Sequence, residues 1–118
     1  MFFAVGCAHN AQITWKIEDR DKLKTVLQQR IHRGTSIESA RQFMEKEGFT
    51  CTLEKNSVFV ERRTWYDKEP LREGIDFLDC RRSQNADSFM MERKTGVALV
   101  IDRGVVKDIL VSCYVDGP

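Results

Sequence analysis

Ile37-Glu38-Ser39-Ala40-Arg41-Gln42-Phe43-Met44-Glu45-Lys46-Glu47-Gly48-Phe49-Thr50-Cys51-Thr52-Leu53-Glu54 decides the fold, because the hydrophobic rhythm changes inside it. Before Gly48, Ile37, Ala40, Phe43 and Met44 recur at the three- and four-residue steps of one helix face. After it, Phe49, Cys51 and Leu53 alternate with Thr50, Thr52 and Glu54, the period of a half-buried strand. Gly48 can take the left-handed conformation that closes a helix. The spacing predicts a helix over 36–47, opened by Thr35-Ser36-Ile37-Glu38, which has the T-x-x-E form of a capping box. Glu38, Arg41, Glu45, Lys46 and Glu47 are expected on its solvated side.

Working towards the N-terminus, Leu23, Val26, Leu27 and Ile31 share a face and predict a helix over 21–33. Asp19 or Asp21 can accept the free N–H groups at its start, and Gly34 can end it. Only Gly34 and Thr35 then separate two helices, which implies a tight helix–turn–helix. A DNA-reading version is disfavoured, since phosphates would meet the mixed to acidic face of the second helix. The 19 basic and 18 acidic side chains leave a net charge of +1, which also argues against a nucleic-acid partner. Further back, Ile13, Trp15 and Ile17 alternate with polar residues, as a short strand or an extended lead-in would.

Working towards the C-terminus, Lys55-Asn56-Ser57 has turn composition, and 58–62 reads as a second strand completing a hairpin. A charged loop over 64–74 carries Pro70, a third strand follows over 75–82, and 83–88 reads as another loop. Residues 96–101 and 105–115 are rich in β-branched side chains, with Asp102-Arg103-Gly104 as the hairpin turn between them. Helices first and strands afterwards is the α+β pattern. The expected architecture is a helix–turn–helix pair packed on an antiparallel sheet of about four to five strands, in two layers. Residues 1–19 are read as an N-terminal segment and 20–118 as one domain.

The chain of 118 residues is 42% hydrophobic and 31% charged, an ordinary balance for a single folded core. No apolar run reaches the ~20 residues of a membrane-spanning helix. Cysteines stand at 7, 51, 80 and 113, none in a C-x-x-C pair, and the histidines are His9 and His32. Neither a metal nor another cofactor is implied. Cys7-Ala8-His9 offers only two ligands. Cys51 and Cys80 both fall on predicted strands. They form a disulfide if those strands are neighbours in an oxidising compartment, and otherwise remain reduced and half-buried. Cys113 reads as a core residue. Asp76 and Asp79 have opposite parity on a strand, which argues against a paired acid and base, and with Asp87 they read as solvated charges.

Ala4-Val5-Gly6-Cys7 looks like a bacterial lipobox, in which the Cys7 thiol takes a diacylglycerol and tethers the domain to a membrane surface. Only six residues precede Cys7 and none is basic, so an apolar first strand with a packed cysteine stands beside that reading. Arg62, Arg63, Trp65 and Tyr66 form the group best suited to bind another protein, since Arg, Trp and Tyr dominate binding hot spots. The bland account has Trp65 or Tyr66 closing the core edge over solvated arginines. Arg81 and Arg82 extend the group if the third strand lies alongside it.

The run from Ile31-His32-Arg33-Gly34-Thr35-Ser36-Ile37-Glu38-Ser39-Ala40 to Phe43-Met44-Glu45-Lys46-Glu47-Gly48-Phe49 resembles the small lipoprotein domains of the BamE (SmpA/OmlA) and β-lactamase-inhibitor-like type. The final strands, 97–115, are similar to the last two of that family. The resemblance implies two short helices against an antiparallel sheet, protein binding and no catalysis, and it supplies no catalytic residue. Phe49 stands where the assembly-factor pattern has proline, and 64–74 is a charged insertion. What carries over is therefore the fold and protein binding rather than the assembly role.

The leading expectation is a noncatalytic protein-binding domain of a bacterial envelope lipoprotein, membrane-attached only through Cys7. One alternative is a cytoplasmic interaction or regulatory module with reduced cysteines. Another is a small thiol enzyme pairing Cys51 or Cys80 with His32.

Overall fold

A computed structural model of the protein describes residues 13–86 and 90–116. The lipobox-like stretch with Cys7, His9 and also Asp87 lie outside the described residues. Two helices, α1 (Arg20–Arg30) and α2 (Ile37–Lys46), precede four strands: β1 (Thr50–Val60), β2 (Leu71–Asn85), β3 (Glu92–Asp102) and β4 (Val105–Asp116). The strands form one antiparallel sheet in the order β1-β2-β3-β4. This is the expected α+β class, with the helices ahead of the sheet.

Asp19 caps α1 by accepting the Lys22 N–H. The helix ends at Arg30, three residues before the expected end, and Gly34 instead shapes the turn at φ +95° and donates its N–H to the Val106 carbonyl. The cap of α2 is Ser36, which accepts the Ser39 N–H, while the Thr35 hydroxyl donates to the His32 carbonyl. Thr35 and Glu38 thus do not form the expected box. Leu23, Leu27, Ile31, Ala40 and Met44 are buried against Leu78, Cys80, Val97, Leu99, Ile109 and Val111 on the inner face of the sheet. Ile37 and Phe43 pack at the margin of this core.

Residues 55–57 are not a hairpin turn. Asn56 is left-handed at φ 47°, and β1 runs through it as a bulge. The segment 58–62 therefore does not pair back on 49–53; β1 pairs throughout with β2. The register passes from Glu54 opposite Phe77 to Ser57 opposite Ile75, so β1 gains one residue on its partner. A one-residue gain reverses which side chains face which way. Phe59 is thereby turned to the outer face, where it packs with Phe77, Ala98, Val100 and Leu110 in a second core. The tip of the β1–β2 hairpin crosses that outer face. Beyond it, the Glu61 carboxylate accepts the Val111 N–H and the Arg62 carbonyl accepts the Cys113 N–H, both on β4.

β2 continues to Asn85, through residues expected to form a loop. The last hairpin matches expectation: Arg103 and Gly104 both have positive φ (56° and 81°) between paired Asp102 and Val105, the conformation of a two-residue primed turn. Cys113 is buried, as expected.

Candidate functional site

Residues 13–16 form a turn rather than a strand, and they dock on the domain although they precede its expected start at 20. The anchor is Glu47, expected in solvent but 0% exposed. Its carboxylate accepts the Ile13 N–H at 3.1 Å, the Thr14 N–H at 2.8 Å and the Thr14 hydroxyl at 2.7 Å. Arg82 completes the network, donating to the Thr14 hydroxyl and carbonyl and to the Glu47 carbonyl. Its guanidinium lies 4.2 Å from the Phe49 ring centre and 5.0 Å from that of Trp15. Burial pulls Arg82 below its ordinary pKa, and the nearby Glu47 charge opposes that fall. These contacts make Arg82 a structural residue on the inner face, and it does not extend the Arg62–Tyr66 group.

Arg81, one position earlier, points to the outer face. Thr50, Arg81, Gly96 and Ser112 are successive cross-strand partners and make one polar rung over all four strands. Ser83, Lys94 and Tyr114 make the next. The apolar half of the outer face is covered by Phe59; this polar half stays open. Two adjoining depressions of about 380 and 360 Å³ share Arg81, Ser112 and Tyr114. Phe59, Arg62 and Trp65 wall the second. The Phe59 ring lies over Gly96, 3.7 Å from where a Cβ would stand, which is an ordinary packing distance.

The connection 61–70 that carries the wall is tied to the rest of the chain. The Asp67 carboxylate accepts the Arg63 and Thr64 N–H groups, each at 2.9 Å, and these bonds hold its pKa below the usual carboxylate value. Arg62 donates to the Trp65 and Asp67 carbonyls. Arg63 turns the other way, to Asp21 of α1 at 2.5 Å. Lys24 of α1 reaches Glu61 at 3.0 Å. Trp65 and Tyr66 meet edge to face, with ring centres 5.4 Å apart, and each is 63% exposed. Neither closes the core. Of the four residues singled out by composition, Arg62 and Trp65 line the groove with Arg81, Tyr66 stands against Trp65, and Arg63 braces the loop on α1.

Cys51 and Cys80 are direct cross-strand partners with their sulfurs 3.0 Å apart, both as free thiols. Cys51 is half-buried on the edge strand and Cys80 fully buried. Their mutual hydrogen bond lowers the pKa of Cys51 and raises that of Cys80, burial adding to the second shift. His32 sits exposed in the interhelical turn, and among the described residues no hydrogen bond joins it to a thiol. No group of three His, Cys, Asp or Glu side chains converges among the described residues. No described helix is long and apolar enough to cross a membrane.

Sequence reasoning passed over Glu47, Thr14, Glu61, Ser112 and Tyr114. For Glu47 the one signal was an acidic side chain at a helix C-terminus, where it opposes the macrodipole and gains from partners elsewhere. Compared with known proteins, the chain matches no family model, no curated protein and no solved structure.

Proposed function

We propose that this is a noncatalytic protein-binding module of a bacterial envelope lipoprotein, with the 61–70 loop and the adjoining groove as its contact surface. The observation that carries the reading is the pair Trp65 and Tyr66, exposed yet held by a braced loop beside a polar groove. Large aromatics already held in place lose little conformational entropy on binding, so more of their contact area becomes affinity. Arg62 and Arg81 line the groove wall and floor, and each has N–H groups beyond those bonded to the loop carbonyls and to the Asp79 carboxylate. The partner is another protein that covers both rings and brings acceptors to the arginines. The envelope part of the reading rests on the lipobox-like residues 4–7 and on the resemblance to BamE-like domains.

Two measurements test it. A photo-crosslinking amino acid at position 65 in the full natural gene product is expected to trap one discrete protein in cells, lost in Arg62→Ala and not trapped from Gln29 on α1. The same products from both positions would refute the contact surface. Labelled palmitate is expected to enter the natural product and not its Cys7→Ser variant. Failure to label the unaltered product would remove the lipoprotein assignment while leaving the contact surface to the first test.

A further inference from the structure

We propose that Cys51 and Cys80 form a thiol–disulfide exchange site, in which Cys51 meets an external low-molecular-weight disulfide and Cys80 closes the intramolecular bond. The inference stands on the sheet geometry and goes beyond the protein-binding reading.

Residues directly opposite on antiparallel strands have Cα atoms about 4.5–5.5 Å apart, within the range a disulfide spans. The register places Cys51 and Cys80 opposite each other, and the 3.0 Å between their sulfurs leaves roughly 1 Å to close to bonding distance. Strand order supplies the asymmetry. Cys51 lies on edge strand β1 and reaches solvent; Cys80 lies one strand in, within the inner core. An external disulfide can therefore reach only one of the two sulfurs. Burial disfavours a thiolate on Cys80, so the half-exposed Cys51 is the sulfur that ionises in contact with solvent.

In the first step the Cys51 thiolate attacks one sulfur of a disulfide RSSR. A Cys51–S–S–R bond forms, the R–S–S–R bond breaks, and one RS⁻ leaves and takes up a proton. In the second step Cys80 gives its proton to solvent base and attacks the Cys51 sulfur. The Cys51–Cys80 bond forms as a second RS⁻ leaves and is protonated. Two protein thiols are oxidised to one disulfide, and RSSR is reduced to two RSH. The reaction is stoichiometric and ties the open edge strand to its neighbour. Cys113 takes no part, being buried beside Thr95 and the Glu18 carbonyl.

The test uses the full reduced chain and oxidised glutathione, with acid quenching and peptide mass mapping. The wild-type chain is expected to lose two hydrogens in a Cys51–Cys80 peptide pair. Cys80→Ala is expected to stop at glutathione on Cys51. Cys51→Ser is expected to modify Cys80 at least roughly tenfold more slowly than Cys80→Ala modifies Cys51. Circular dichroism confirms that each variant is folded, and Cys80→Ser replaces Cys80→Ala if the latter is not. Equal rates at the two sulfurs in folded variants would overturn the assigned roles. A wild-type chain with no Cys51–Cys80 bond under excess oxidant would overturn the site.

Discussion

The two edges of the sheet are finished in opposite ways. On β4, the Val106 N–H goes to the Thr35 carbonyl, Ile109 to Asp108, Val111 to Glu61 and Cys113 to Arg62. The chain has capped its own last strand with a helical turn at one end and the β1–β2 hairpin connection at the other. Among the described residues no such plug lies on β1. What guards that edge is irregularity: the bulge at Asn56, beside Glu54 and Lys55, interrupts the flat row of amides that another strand would need. One hairpin thus protects the far edge by covering it and its own edge by bending. The bend begins at the extra residue between Glu54 and Ser57, and β2 restores the register with an extra residue of its own between Arg72 and Ile75.

The largest effect is expected where the bend is held down. Phe59→Ala removes the ring that seats the hairpin on Phe77, Ala98 and Leu110, and should lower stability by about 3–5 kcal/mol in urea unfolding. Hydrogen exchange at Val111 and Cys113 should accelerate with it. A loss below about 1 kcal/mol would mean the outer-face core does not hold the arm. Glu61→Ala leaves the Val111 N–H and the Lys24 ammonium unpaired and should lower stability by about 1–3 kcal/mol, with Glu61→Gln recovering part of that loss. Unchanged amide protection at Val111 in Glu61→Ala would show the plug to be ornamental.

A smaller effect is expected in acid. The folded-state pKa of Asp67 is depressed by the Arg63 and Thr64 N–H groups, so its contribution is fully present above the ordinary aspartate value. It is lost as the pH falls through the lowered folded value. Trp65 fluorescence, followed in a Trp15→Phe background, should report a loosening of the loop there, absent in Asp67→Asn. A transition shared by both proteins would point to another group. The smallest effect is expected on the open edge, where Leu53, 50% exposed, should tolerate Leu53→Lys within about 0.5 kcal/mol.

The helices, the change at Gly48 and the Arg103-Gly104 hairpin were legible because each is written in local spacing or in a residue that a backbone conformation demands. The bulge was not. Lys55-Asn56-Ser57 has the composition of a turn, and a left-handed Asn serves either purpose; only the partner strand's register separates them. The length of β2 was hidden because Arg82 and Gln84 look like solvent-facing residues, while both are buried, Arg82 under Thr14 and Gln84 bonded to the Trp15 carbonyl. The aromatic and arginine group was legible from composition alone. That Arg81 joins it and Arg82 leaves it depends on the side of the sheet each faces, which required the register.

The grip of Glu47 on Ile13 and Thr14 sets a mechanical limit on any attachment further up the chain. From Cys7 to Ile13 there are six peptide links, and six residues stretched out fully reach about 20–22 Å. A lipid on Cys7 would consequently hold the globule within roughly its own radius of the bilayer, on a short leash rather than a long stalk. Loosening the carboxylate's hold would lengthen that leash from the domain side, without adding a residue.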